Sequence, residues 1–148
     1  MARIKPPDLE TWLTSYLRAE LSGVMDGLQV GNKIPEGYRG GHPLVTIRDD
    51  GGSKSDGGQF DRSVGVTVRT PGRQDDAPCR GLAREIAAIL TDADTLPFIH
   101  GSPIEGVVDA GCNGPYPVVD DLDTATQYLT VEYTARGEWQ TTTERNQP

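Results

Sequence analysis

The fold is decided by Gln127-Tyr-Leu-Thr-Val-Glu-Tyr-Thr-Ala-Arg136, a stretch near the end of the 148-residue chain. Apolar and polar side chains alternate along it, which is typical of a β-strand with one buried face and one solvated face. The alternation predicts a strand over residues 126–136. The inward residues are predicted to be Leu129, Val131, Tyr133 and Ala135, with Gln127 beside them, and the outward residues Tyr128, Thr130, Glu132 and Arg136.

A second stretch, Phe60-Asp-Arg-Ser-Val-Gly-Val-Thr-Val-Arg69, has the same character. Phe60 and three valines share one face, while polar residues, including Asp61, Thr67 and Arg69, share the other. Two long strands with one wet face each predict an antiparallel sheet that is covered on one side only. Shorter strand signals lie at about 25–31, at 44–48 and at about 104–110.

Two segments have the three- and four-residue spacing of amphipathic helices. The first follows Asp8, a good N-cap, and predicts a helix over residues 9–22. The second follows Asp75 or Asp76 and has Pro78 in its first turn. The apolar stripes that define the two helices are Leu9, Trp12, Leu13, Tyr16, Leu17 and Leu21, and then Leu82, Ala83, Ile86, Ala87, Ile89 and Leu90.

The order of these elements is helix, two or three strands, helix and two strands. It predicts an α+β fold: a mixed, mainly antiparallel sheet of four to five strands with two helices packed on one face. The length favours a single domain over residues 1–148. We expect an ordered core at about 8–137 and a frayed polar tail at 138–148.

Charge is distributed unevenly along the chain. Residues 1–74 hold 10 Lys+Arg and 9 Asp+Glu, whereas residues 75–148 hold 4 and 13, and the total is −8. Such a balance disfavours wrapping by DNA or RNA, which needs clustered cations. The asymmetry suits either a solvated surface or a head-to-tail contact between copies. Neither a leader segment nor a membrane span is visible, so we expect a soluble protein made in the cytoplasm, with Cys79 and Cys112 reduced.

No motif for catalysis or for a cofactor stands out. His42 and His100 lie in Gly/Pro-rich loops and lack a nucleophile elbow, although a small hydrolase or ligand-binding domain that uses them stays an alternative. Asp120, Asp121 and Asp123 form the densest carboxylate cluster. Their spacing is not that of a calcium loop, so turn acids or an interface patch are favoured over a metal site. We therefore expect no catalytic residue, cofactor or metal.

Two further features leave alternatives open. The glycine-rich segment 51–58 predicts a hairpin tip, which is either a plain linker or a loop that becomes ordered on a partner. Trp139 follows the last strand in a polar setting, where it either anchors a contact or packs back on the domain.

Taken together, four segments resemble the tail terminator proteins of long-tailed bacteriophages. They are Asp8-Leu-Glu-Thr-Trp-Leu-Thr-Ser-Tyr-Leu17, the strand 60–69, the helix Leu82-Ala-Arg-Glu-Ile-Ala-Ala-Ile-Leu90, and Gly114-Pro-Tyr-Pro followed by Gln127–Arg136. The resemblance covers about residues 8–137 and depends on element order and these phrases. The glycine-rich tip has no counterpart in it.

The resemblance implies a mixed α/β fold and a ring of six copies. Such a ring caps the tail tube, stops its polymerisation and offers a surface to the head, and DNA passes through it without specific binding. The implied partners are other copies, the major tail tube protein and the head–tail connector proteins, in a virion assembled in the host cytoplasm. A head-completion or neck connector protein of the same virion is the alternative.

The resemblance transfers no interface residues, so the candidates come from the residues themselves. We predict an acidic edge at Asp120, Asp121 and Asp123, a sheet-face patch and a contact at Trp139. The loop that faces the tube or the lumen would be Ser53, Lys54, Ser55 and Asp56. The sheet-face patch would consist of Arg69, Glu132 and Arg136.

Overall fold

The computed structural model describes residues 2–141. Eight strands and two α-helices follow one another along this part of the chain, with short 3₁₀ turns between some of them. In chain order they are β1 (Ala2–Lys5), α1 (Leu9–Glu20), β2 (Gln29–Gly31), β3 (Leu44–Gly51), β4 (Gln59–Pro71), α2 (Ala77–Leu90), β5 (Ile104–Val107), β6 (Asn113–Pro117), β7 (Thr124–Arg136) and β8 (Glu138–Thr141).

Six of the strands form the main sheet, in the order β2-β3-β4-β7-β5, and β6 also pairs with β7. The pair β2–β3 is parallel, and the other pairs are antiparallel. The predicted α+β class with a mixed, mainly antiparallel sheet is confirmed. The number of strands is higher than the predicted four to five, because both β5 and β6 lie along the same side of β7.

One face of the main sheet is covered by both helices. The inward side chains of β4 and β7 pair in register, as Val66 does with Leu129. The helices place their apolar stripes on this layer, so the core is a single cluster. Its fully buried members from helices and strands include Leu9, Leu13, Leu17, Ile86, Leu90, Val45, Ile47, Val64, Val66 and Val68.

Local signals in the sequence account for the limits of the helices. The carboxylate of Asp8 accepts hydrogen bonds from the N–H and the hydroxyl of Thr11, so α1 begins where the cap predicts. It ends at Glu20, two residues before the predicted end. In α2 the residue at the N-cap position is Asp76, which makes no capping hydrogen bond with its side chain.

Two of the outer strands of the main sheet, β2 and β6, are protected against a further strand. The carbonyl of Val30 on β2 points away from β3 and accepts two hydrogen bonds from the Arg18 guanidinium, at 3.2 and 2.7 Å. On the opposite side of the sheet, the N–H of Val118 donates to the carbonyl of Thr126 on β7 at 3.1 Å, so Pro117, the last residue of β6, directs its backbone outward. A proline has no N–H to offer to another strand.

The two ends of the described chain form a separate two-stranded ribbon, β1 with β8, in which Ile4 lies opposite Trp139. The predicted ordered core of 8–137 is therefore too short, and the prediction that the tail frays is wrong for residues 138–141. Ile4 holds the ribbon on the body, because its side chain lies against Gly58 and Gly137, with the ring of Phe60 also beside Gly137. Residues 142–148 of the predicted tail lie outside the described residues.

Candidate interaction surfaces

The second face of the main sheet has no helix on it and is lined by polar side chains. Arg48 of β3, Thr67 of β4 and Thr130 of β7 all belong to it. The ring of Tyr128 crosses this face, so that its hydroxyl lies directly over Gly65. Glycine at residue 65 leaves room for this ring, because a Cβ there would require the hydroxyl to shift. The edge of Tyr116 on β6 packs on the same ring.

One end of this polar face is closed by an ion pair. Arg69 Nε lies 2.6 Å from Asp120 Oδ2, and the two side chains are only 12% and 18% exposed. Burial raises the pKa of Asp120, but the hydrogen bond and charge of Arg69, together with hydrogen bonds from the Asp121 N–H and the Thr124 hydroxyl, hold the pKa below its ordinary value. Arg69 lies on the uncovered face, as its alternation predicted, but its guanidinium is paired within the chain. Asp120, predicted at an acidic edge, is the partner in this pair and attaches a loop to the sheet.

The other two aspartates of the predicted acidic edge are exposed. Asp123 accepts a hydrogen bond from the N–H of Arg73 at 2.8 Å. The Arg73 guanidinium in turn donates to the carbonyls of Asp120 and Leu122, at 2.8 and 2.7 Å. These bonds fix the loop on the turn that follows β4 and leave Asp121 on its outer side. Within residues 2–141, no three His, Cys, Asp or Glu side chains are grouped so that they could hold a metal ion.

The structure does not bring Arg69, Glu132 and Arg136 together. Along the β4–β7 pair, Arg69 lies opposite Thr126, whereas Arg136 lies opposite Gln59. Ten residue steps of about 3.3 Å separate these two positions, or roughly 33 Å. Glu132 lies between them, packed against Gly111. Arg136 donates to the carbonyl of Ser102 at 2.8 Å at the far end of the strand.

The predicted glycine-rich tip folds back on β4. Ser53 accepts a backbone hydrogen bond from Asp61, and Ser55 donates one to Gln59, at 2.8 and 2.9 Å. Lys54 forms an isolated bridge with Phe60. The side chain of Asp56 lies outside the described part of the chain. The segment lies beside the ribbon, because Gly137 N–H donates to Gly58 at 2.9 Å.

Trp139 is 65% exposed on the ribbon, and its ring passes close to Gly58.

At the opposite end of β7 lies an apolar feature that the sequence analysis did not predict. Val118 and Val119 are 37% and 95% exposed, and Tyr116 is 45% exposed. The sequence does contain an indication of this feature, because Pro117-Val-Val119 is followed at once by an acidic segment and belongs to no periodic apolar pattern that would predict burial of the valines.

A recess of about 190 Å³ opens beside these valines. Its walls combine an apolar side, Pro117, Val118 and Val119, with a polar side that includes Asp76 and Asp120. The two valines therefore form the apolar wall of a recess whose other wall is polar.

The two histidines lie in separate loops of the described structure. His42 Nε2 lies 3.0 Å from the amide oxygen of Gln29, and its ring packs on the edge of Tyr38. His100 lies exposed in the loop before β5.

A recess of about 380 Å³ lies near β2, and the cations among its lining residues are Arg18 and Lys33. Its lining side chains hold no hydroxyl or thiol that could serve as a nucleophile.

Comparison with known proteins does not assign the chain to a family. No family model matches the chain, and no curated protein matches it significantly. Neither described α-helix is long and apolar enough to cross a membrane.

Proposed function

We propose that this chain is a structural virion protein, a tail terminator of a long-tailed bacteriophage. Several copies, six if the resemblance holds in full, would form a ring on the end of the tail tube. The ring stops tube polymerisation, offers a surface to the head and lets DNA pass. Its work is done by contacts between proteins, without an enzymatic step.

The observation that carries the proposal is the architecture of the sheet. The resemblance implies a sheet packed on helices in a given element order, and the structure has two helices on one face of a mixed sheet. The other face is polar and has no helix on it, and exposed apolar groups lie at both ends of the long strands. Such a molecule offers different patches at opposite ends, which is what a closed ring of heterologous contacts requires.

The test is polymerisation of the matching tail tube protein with and without this chain. We expect tubes to stop growing once the chain is added, and electron microscopy to show a ring at one end of each tube. Continued growth at the rate of the untreated sample would contradict the proposal. Sedimentation of the chain with purified heads but never with tubes would favour the neck connector instead.

A further inference from the structure

The two apolar features described above lie at opposite ends of one rigid strand pair. The recess beside Val119 adjoins Thr124, where β7 begins, and the ribbon that carries Trp139 follows Arg136, where β7 ends. Twelve residue steps of about 3.3 Å place these ends roughly 40 Å apart. The two features cannot meet within one chain, so they are available to meet between copies.

The ribbon end presents an aromatic knob. A two-stranded ribbon is marginal by itself. This one is held by Ile4, whose side chain lies against Gly58 and Gly137, with the ring of Phe60 also beside Gly137. The indole of Trp139 stays 65% exposed beside that anchor. The contacts of the partly buried Ile4 hold the ribbon on the body, but they do not explain why the tryptophan side chain is exposed. Tryptophan is among the residues that most often carry the binding energy of an interface.

The other end presents a depression of matching size. An apolar cavity of about 150 Å³ is large enough to hold a benzene ring. The recess at Val118 and Val119 measures about 190 Å³ and is open on one side. The six-membered ring of an indole therefore has room there, with the rest of the side chain at the open side, and the valines, 37% and 95% exposed, are the surface that it would cover.

The charges of the two ends are opposite in sign. Segments 73–76 and 117–124, which surround the recess, hold one arginine and five aspartates, of which Asp120 is paired with Arg69. The ribbon holds Arg3 and Lys5 against a single acid, Glu138, which lies 3.4 Å from Lys5 Nζ, so its net charge is +1. The two cations lie on the face of the ribbon turned away from Ile4 and Trp139, so they act through the field that brings the ends together. The indole would supply the short-range contact.

The larger recess near β2 is a poorer partner for the ribbon. Its rim carries Arg18 and Lys33, and the cations of the ribbon would meet like charge there. The Arg18 guanidinium is also committed to the carbonyl of Val30.

We propose that Trp139 on the ribbon of one copy inserts into the Val118–Val119 recess of a second copy of this chain. The contact is head-to-tail, so each copy uses its knob on one neighbour and its recess on the other. This inference depends on the proposed function in one respect, that the partner is another copy. It names the junction from which the ring would be built.

Two variants of the full chain test the junction, each with a matched control. Trp139→Ala removes the knob, and Phe98→Ala removes another exposed aromatic ring, one that is 80% exposed. Val119→Asp spoils the recess, and Val24→Asp places the same charge at another exposed valine. All four positions are solvent-exposed, and circular dichroism verifies that each variant folds.

Self-association is measured by sedimentation velocity and native mass spectrometry over a wide range of concentrations. We expect Trp139→Ala and Val119→Asp each to weaken it by about 30-fold or more, the usual effect of losing an interface hot spot. The two controls should match the wild type. An equal mixture of the two junction variants keeps one intact knob and one intact recess, so it should form one-to-one dimers and nothing larger.

Three outcomes would overturn the inference: junction variants that associate like their controls, a mixture that forms no dimer, or a wild-type chain that stays monomeric at its highest soluble concentration. The tube assay separates this result from the proposed function. If the variants weaken self-association as expected but the chain has no effect on tube growth, the contact is supported and the terminator role is contradicted. If the chain stops tube growth but neither variant changes its self-association, the role is supported and the contact is contradicted.

Discussion

The two faces of the main sheet are built by the same strands but differ in how far their side chains are buried. On the covered face, Val66 and Leu129 lie opposite each other and are almost fully buried. On the uncovered face, their neighbours in sequence, Thr67 and Tyr128, also lie opposite each other but stay partly exposed. The comparison teaches that packing against the helices determines the first set of residues, whereas the second set remains in contact with solvent.

The largest difference between the two faces should appear when the same charged residue is introduced on each of them. Val66→Asp puts an unpaired carboxylate into a dry layer, and we expect it to unfold the domain. The cost is several kcal/mol, a large share of the roughly 5–15 kcal/mol that stabilises a domain. Thr67→Asp, one residue away on the polar face, should change the free energy of unfolding by less than about 1 kcal/mol.

Urea denaturation followed by circular dichroism measures both variants. If Val66→Asp folded as well as Thr67→Asp, the two faces would not differ in the way described.

The next largest effect should come from the ion pair that closes one end of the polar face. Asp120→Asn removes the charge that faces Arg69, whose Nη1 is already buried without a hydrogen-bond partner in the described structure. We expect a loss of roughly 2 kcal/mol at neutral pH. Asp121→Asn, at an exposed neighbour, should lose almost nothing.

The effect of Asp120→Asn should depend on pH in a defined direction. The folded protein holds the pKa of Asp120 below its ordinary value, so the stabilisation is complete above about pH 4 and is lost as the pH falls through the lower folded pKa. The difference between wild type and variant should thus shrink in acid. Thermal unfolding from pH 7 down to pH 3 measures it, and a constant difference would show that Asp120 acts by shape instead of charge.

The smallest effect should come from the cap of α1. Asp8→Ala removes the two hydrogen bonds from Thr11 and should cost about 1 kcal/mol, because the apolar stripe of the helix stays packed. Ser15→Ala, in the exposed middle of the same helix, should cost nothing. A loss from Asp8→Ala as large as that from Val66→Asp would mean that the covered face depends on its helix ends more than on packing.

Periodicity predicted the elements that this contrast depends on. The alternation in residues 60–69 and 126–136 identifies β4 and β7 and assigns each side chain to the correct face, because a strand repeats every two residues. The stripes beginning at Leu9 and Leu82 identify α1 and α2 for the corresponding reason. The fold class followed from the order of these four elements.

Other features were beyond prediction because they join distant parts of the chain. Arg69 and Asp120 are 51 residues apart, and no local pattern indicates that they pair. The ribbon joins residue 2 to residue 141 through two four-residue strands, which are too short and too polar for their alternation to be distinctive. As a result, the candidate patch of Arg69, Glu132 and Arg136 was predicted as one surface, although the register spreads it along the strands.

The pairing of Ala2 with Thr141 has a practical consequence for anyone who handles the protein. The described chain enters and leaves the fold side by side. An affinity tag or fluorophore placed just before residue 2 and another placed just after residue 141 would emerge at the same corner. Labels attached at residues 2 and 141 therefore report on the same part of the molecule, and a label that reports on the opposite end of β7 has to be placed in the loop around Asp121.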